Sequence, residues 1–340
     1  MTRISGAAPN ASIISIRWVG KRRVGKHEIA QQGIVFMKQT LSTLSIATLL
    51  LAAPAMAAEQ GPSIEELLKP APNPAWNEFA VAGYDTTKIA DGVYVFRYTG
   101  TRSLFMITDD GVIVTDPISP AIAKIFREEV AKITDQPVKY VVYSHEHWDH
   151  VPGAQIFKDE GAQIVAHENC ARHFYDLPNP DIVMPDITFS DDYTLELGGR
   201  KLELLYFGPN HGDCMVVMRP DPGDYLYIVD LVTPGGAPLG FMPDYAPHHY
   251  VRTLKEIEAI DYKAIIGGHG AMLSHPSAVT ERRQYLEALM KATREAMASG
   301  ANPFELHKVI RVPEFAHLRG YESRIEDNAR RMLAFYGIGW

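Results

Sequence analysis

The chain has 340 residues (37.8 kDa) and is 46% hydrophobic and 22% charged, with 26 Gly and 23 Pro. This excludes a disordered, collagen-like or coiled-coil protein and leaves room for one large domain or two modest ones. Only Cys170 and Cys214 are present, which excludes a disulfide framework and a Cys-rich zinc module; any bound metal must be held by carboxylates and the 13 His.

The net charge of −8 is unevenly spread. Residues 1–57 carry seven Lys/Arg and one Glu, whereas residues 58–340 carry 26 basic and 40 acidic side chains. So acidic a body is poorly matched to phosphate, so nucleic acid is excluded as a partner. From Met37 the chain reads MKQTLSTLSIATLLLAAPAMAAEQ. Lys38, the apolar run 41–52 and the small-x-small triplet Ala55-Met56-Ala57 predict a signal peptide cut after Ala57, and hence a periplasmic or secreted protein. The run is too short and too dotted with Ser and Thr to predict stable membrane insertion. A signal beginning at Met1 would have a leading segment of about 40 residues, where whole signals run to about 15–30. Met37 is therefore the expected start, and 1–36 an over-long N-terminus. Residues 58–79 are Pro-rich and read as a linker.

Short strands are predicted at 92–98, 103–108 and 111–116, with Asp109-Asp110-Gly111 as a hairpin turn. Ser119-Pro120 opens a helix at 119–134 with apolar residues three and four apart. A buried strand at 138–143 precedes helical stretches at 152–158 and 168–176. Strands at 194–198, 201–207, 214–219 and 225–230 follow, then a helix at 249–260, a strand at 263–266 and helices at 276–298 and 321–335. Strand-rich halves with helices outside predict an α/β fold: an αββα sandwich of two mixed sheets flanked by helices.

Directly after the apolar strand comes SHEHWDH, residues 144–150. A strand's C-terminal end is where α/β folds place ligands. His145, His147, Asp149 and His150 crowd four metal-type donors into six residues; without a cation they would repel on protonation and lose hydration for nothing. This HxHxDH pattern resembles the signature of the metallo-β-lactamase superfamily. Later landmarks come in the family's order: His211 in GPNHGD, Asp230 at the end of YLYIVD, and His269 in IIGGHG. The resemblance implies a catalytic domain over 80–275, followed by a C-terminal helical extension, 276–340. It implies one ion on His145, His147 and His211, a second on Asp149, His150 and His269, and Asp230 bridging both. Two Zn²⁺ are the expected cofactor, although iron or manganese suits the same donors.

By the same resemblance the chain, exported by its predicted signal peptide, is expected to be a hydrolase that cleaves an ester-, lactone-, thioester- or amide-type bond in a small-molecule substrate. A metal-bridging hydroxide attacks, and Asp149 is the catalytic carboxylate that orients it. The Asp at 230 is similar to glyoxalase II, the lactonases and SoxH-like periplasmic hydrolases, and disfavours lactamases that use Cys there. β-Lactamase-like activity and a mononuclear-iron persulfide dioxygenase using His145, His211 and Asp230 are the alternatives.

Trp148 in the metal loop, and Phe241, Met242, Tyr245 and His248 in the Gly/Pro-rich segment 233–249, are the candidate substrate-binding residues. Asp116, ending a strand, is expected to hydrogen-bond a ligating His. His167, His173, His275, His307 and His317 lack motif context and are read as ordinary surface or core residues, and Cys170 and Cys214 as core thiols.

Overall fold

A computed structural model describes residues 83–339. The predicted signal peptide, the residues before it and the linker lie outside the described residues.

The first sheet contains seven strands in chain order: β1 (Tyr84–Ala90), β2 (Val93–Tyr98), β3 (Thr101–Thr108), β4 (Gly111–Thr115), β5 (Val138–Val142), β6 (Gln163–His167) and β7 (Ile187–Phe189). β1 to β4 run as an antiparallel meander, and β4 to β7 are mutually parallel. The parallel half needs crossovers. These are α1 (Pro120–Ile133), the five-residue α2 (Gln155–Asp159) and α3 (Glu168–Asp176). α1 starts where the sequence indicates: Ser119 Oγ caps it by accepting from Ile122 N–H, and Pro120 fills the first turn, where no amide donor is needed.

The second sheet has six strands in the order β13-β12-β11-β10-β9-β8. They are β8 (Tyr193–Leu197), β9 (Arg200–Tyr206), β10 (Val216–Pro220), β11 (Tyr225–Ile228), β12 (Ala264–Gly267) and β13 (Leu273–Ser274). Only the β11–β12 pair is parallel, and α4 (Pro247–Glu258) lies between those two strands in sequence. α5 (Ser277–Ala298), two 3₁₀ turns and α6 (Tyr321–Ile338) complete the described chain.

The two-residue period of the strands assigns each apolar side chain to a layer. Val93, Val95, Leu104, Met106, Ile113 and Val142 face the second sheet and pack with Leu202, Leu204, Val216, Met218 and Tyr227. Their neighbours Phe96, Phe105, Val112, Val114, Val141 and Tyr143 face outward onto α1, α2 and α3. There Phe126 of α1 stacks on Phe96 (4.6 Å between centroids) and meets Phe105 and Phe157 edge-on. On the far side, Tyr250, Leu254, Tyr285, Leu289, Ile325 and Met332 carry α4, α5 and α6 into the same core as the second sheet.

Four strands escape the sequence reading. β1 (YDTTKIA) is an edge strand whose residues are exposed or half-buried, so it lacks an apolar run. β6 is five residues squeezed between two helices, and β7 and β13 are only three and two residues long. The reading of two core thiols is corrected: Cys170 on α3 and Cys214 beside β10 form a disulfide. α3 lies against the outer face of the first sheet, where both cysteines are fully buried in one cluster and their Cα atoms stand 5.4 Å apart.

Candidate metal centre

Seven imidazoles and carboxylates from both sheets meet at one edge of the sandwich. β5 ends in the loop 143–150, whose start is anchored twice: Ser144 N–H donates to Asp116 Oδ1 (2.8 Å), and Ser144 O accepts from Val216 N–H of the other sheet (2.9 Å). The backbone then turns, with the His150 and Val151 amides both donating to His147 O (3.2 Å each). This fold-back brings His145, His147, Asp149 and His150 together.

His211 lies five residues past β9, and Asp230 and His269 lie two residues beyond β11 and β12. Gly268 makes the last two adjacent. Its amide donates to Val229 O (3.0 Å), and a Cβ at this position would lie 2.7 Å from that same oxygen. The turn carrying His269 is further held from the first sheet. Buried Arg102 of β3 donates to Gly267 O (3.3 Å) and Gly270 O (2.7 Å), and the Arg102 amide to Gly268 O (3.0 Å). His269 Nδ1–H donates to Gly100 O (2.9 Å), leaving Nε2 for the cluster.

Two donor groups result, each with its ligating atoms within 4.8 Å of one another. One is His145, His147, His211 and Asp230; the other is Asp149, His150, His269 and Asp230. Asp230 belongs to both. His211 Nε2 is 3.1 Å from His147 Nδ1, and His150 Nε2 is 3.2 Å from His269 Nε2. Such close ring nitrogens need a proton or a cation between them. Buried His145 Nε2 and Asp230 Oδ1 have no hydrogen-bond partner. A metal ion in each group would satisfy these atoms, so the residues present fit the metal that the donor set implies.

The electrostatics agree. Burial pushes Asp230 and Asp149 upward, but His150 and the neighbouring imidazoles more than reverse this and hold both carboxyls well below the usual range. Burial likewise opposes protonation of His150, but Asp149 and Asp230 drive it well above its ordinary value. Burial and the adjacent His147 keep His145 neutral, well below its ordinary value. The buried carboxylates thus favour positive charge on the neighbouring imidazoles, and a bound cation would compete with those protons.

Asp116 is fully buried with φ 35°, and it holds the backbone of Ser144 rather than a ligating imidazole. Among the candidate substrate residues, Trp148 and Phe241 are 37% and 43% exposed. Met242 is 1% exposed and belongs to the large core cluster around the second sheet. Tyr245 is buried, pairs by backbone with His211 and sets its ring edge-on to that imidazole (4.8 Å). His248 stacks instead on Phe335 of α6 (5.2 Å). His167 caps α3 by accepting from Asn169 N–H; His173 and His317 pair with Asp213 and Glu281. A cavity of about 650 Å³ between Pro234, His275, Glu281 and His317 touches none of the seven clustered residues.

The sequence reading missed Asp244. Its Oδ2 lies 2.9 Å from His147 Nε2 and 3.7 Å from His211 Nδ1. Burial raises and His147 and His211 lower this carboxyl, with a net shift downward, while His147 rises to about 9 against the cost of its own burial. Asp244 falls inside the segment 233–249, but an Asp between Pro and Tyr carries no ligand pattern of its own.

A profile of the metallo-beta-lactamase superfamily matches residues 98–269, and the chain belongs to that superfamily. It is 27% identical over 189 residues to the 2,4-dinitroanisole O-demethylase subunit alpha of Nocardioides sp. (strain JS1661), covering 55% of each chain. It is 22% identical over 281 residues to the linear primary-alkylsulfatase of Pseudomonas sp. (strain ATCC 19151), covering 62% of this chain and 51% of the relative. The chain therefore spans about half the length of these two relatives. The metallo-beta-lactamase type 2 of Elizabethkingia meningoseptica is 23% identical over 205 residues, covering 54% of this chain and 77% of the relative. The metallo-beta-lactamase from Pontibacter korlensis shares the fold, with a TM-score of 0.54 at 21% identity over 60% of this chain and 99% of its own.

Proposed function

We propose that the protein is an exported, dinuclear zinc hydrolase that cleaves an ester-, lactone-, thioester- or amide-type bond in a small molecule. One observation carries the reading: two complete donor groups share a single carboxylate, Asp230. His145, His147 and His211 would hold one ion, and Asp149, His150 and His269 the other. The chemistry supplied at such a site is Lewis-acid polarisation of the scissile group and acidification of water. Asp230 fixes the spacing of the two groups and offsets part of their charge. Asp149 would orient the attacking water and accept its proton. Trp148 and Phe241, the exposed aromatics of the two loops, offer apolar surface to the rest of the substrate. The second donor group weighs against a mononuclear oxygenase, for which it would be surplus. Export through the segment 37–57 belongs to the same reading, and a Cys170–Cys214 bridge suits an oxidising compartment.

The test joins metal analysis of the mature protein to a panel of nitrocefin, acyl-homoserine lactones and thioesters. The names of the relatives add an aryl methyl ether and an alkyl sulfate. Two zinc ions per chain and turnover of one panel member are expected, with turnover abolished in folded His147→Ala and Asp149→Ala. Full activity in either variant removes the hydrolase reading. One iron per chain with oxygen consumption would replace it with the oxygenase.

A further inference from the structure

We infer that Asp244 is a positioning residue: its carboxylate sits behind His147 and His211 and aims both rings at one ion. This rests on the metal-site reading above and adds a residue to it.

An imidazole can give only one nitrogen to a cation, and the other must find a partner or remain free to rotate the ring out of line. For His147, Nδ1 faces the cluster, 3.1 Å from His211 Nε2. The remaining nitrogen, Nε2, lies 2.9 Å from Asp244 Oδ2, a buried oxygen with no other hydrogen-bond partner. For His211 the roles reverse: Nε2 is in the cluster, 3.5 Å from Asp230 Oδ2, and Nδ1 faces the same Asp244 oxygen at 3.7 Å. One carboxylate oxygen thus backs two of the three imidazoles of one donor group. It fixes which nitrogen of His147 keeps its proton, and it makes both rings more basic toward a cation.

Asp244 is itself held in place. Gly212 N–H donates to Asp244 O (3.3 Å), Ala246 N–H to Asn210 O (3.0 Å), and Tyr245 N–H to Met242 O (3.2 Å). Arg331 of α6 donates to Tyr245 O. The loop bearing Asp244 is therefore strapped to the turn bearing His211, and α6 braces it from behind.

The other imidazoles are backed differently. His269 Nδ1 has a carbonyl, Gly100 O; His145 Nδ1 has the Ser144 hydroxyl at 2.8 Å; His150 Nδ1 is buried with no hydrogen-bond partner. Among the described residues, a carboxylate from outside the seven donors comes within 4 Å of a cluster imidazole on the His147–His211 side alone, whereas buried Asp116 acts on His150 only through its charge. Loss of Asp244 must therefore weaken one ion and spare the other.

The test titrates the metal-free protein with Co²⁺, following the visible ligand-field bands and competition with a chromophoric chelator. Wild type, Asp244→Ala and Asp244→Asn are compared, with thermal melting of each metal-free form as a fold control. In Asp244→Ala one of two cobalt affinities should fall roughly 10- to 100-fold, with the other unchanged. Asp244→Asn, whose amide oxygen still accepts from His147, should recover part of the loss; if the Ala variant does not fold, the Asn variant carries the test by losing affinity at one ion alone. Unchanged affinities in Asp244→Ala overturn the inference. So does an equal loss at both ions with a lowered melting temperature, which would make Asp244 merely structural. A wild-type chain that binds fewer than two ions overturns the proposed function itself, before any variant is read.

Discussion

Asp116→Asn separates charge from hydrogen bonding behind the metal loop. The carboxyl is fully buried, and burial pushes it up to about 6 although His150 and the Ser144 amide pull the other way. Its proton is therefore held more tightly in the folded chain than in the unfolded one. The stability this lends is complete below the unfolded value near 3.8 and is lost as the pH rises through about 6, where the fold must bury a carboxylate that the unfolded chain leaves in water. A displacement of about two pH units amounts to about 3 kcal/mol. Asn tolerates the positive φ as Asp does, and its Oδ1 can keep the 2.8 Å bond from Ser144 N–H. With a chelator present, urea unfolding should show Asp116→Asn more stable than wild type by about 3 kcal/mol at pH 8 and by roughly half that at pH 5. A gain that is the same at both pH values, or a loss at pH 8, would refute the argument that desolvation of this charge is the dominant cost.

Three further outcomes are expected. Replacing both Cys170 and Cys214 with Ala frees a loop closed over 44 residues; it should cost about 3–4 kcal/mol by denaturant unfolding, and reductant should then affect wild type alone. Phe126→Ala empties a site ringed by Phe96, Phe105 and Phe157 and should cost about 3–5 kcal/mol, read by the same unfolding assay. Trp148→Ala and Phe241→Ala should each raise KM for an apolar substrate by about 10-fold, as expected for losing 1–2 kcal/mol of apolar contact, with metal content unchanged; a loss of metal instead would place the side chain in the ligand scaffold.

Much of the centre is legible in the sequence because its residues stand at strand ends. The apolar run 138–143 announces β5, and the donors after it are contiguous, so His145, His147, Asp149 and His150 need only a local turn to meet. His211, Asp230 and His269 are far apart in the chain, and their convergence depends on the order β12-β11-β10-β9, which no local pattern encodes. The family's motif order supplied it. Asp244 had neither aid: it stands in a loop, and its proximity to His147 exists only once the second sheet lies on the first. Cys170 and Cys214 were unreadable for the same reason, since the packing of α3 on the sheet is a tertiary fact. β1 was hidden by its polarity, which suits the edge of a sheet.

Four of the seven donors hang from one layer of the sandwich and three from the other, and Arg102 and Gly100 of the first layer grip the turn that presents His269 from the second. A cation seated there would work as a clasp between the layers. On the proposed metal-site reading, binding to the folded arrangement alone would stabilise it, so metal supply would become a gauge of mechanical integrity, felt first along this edge of the sandwich.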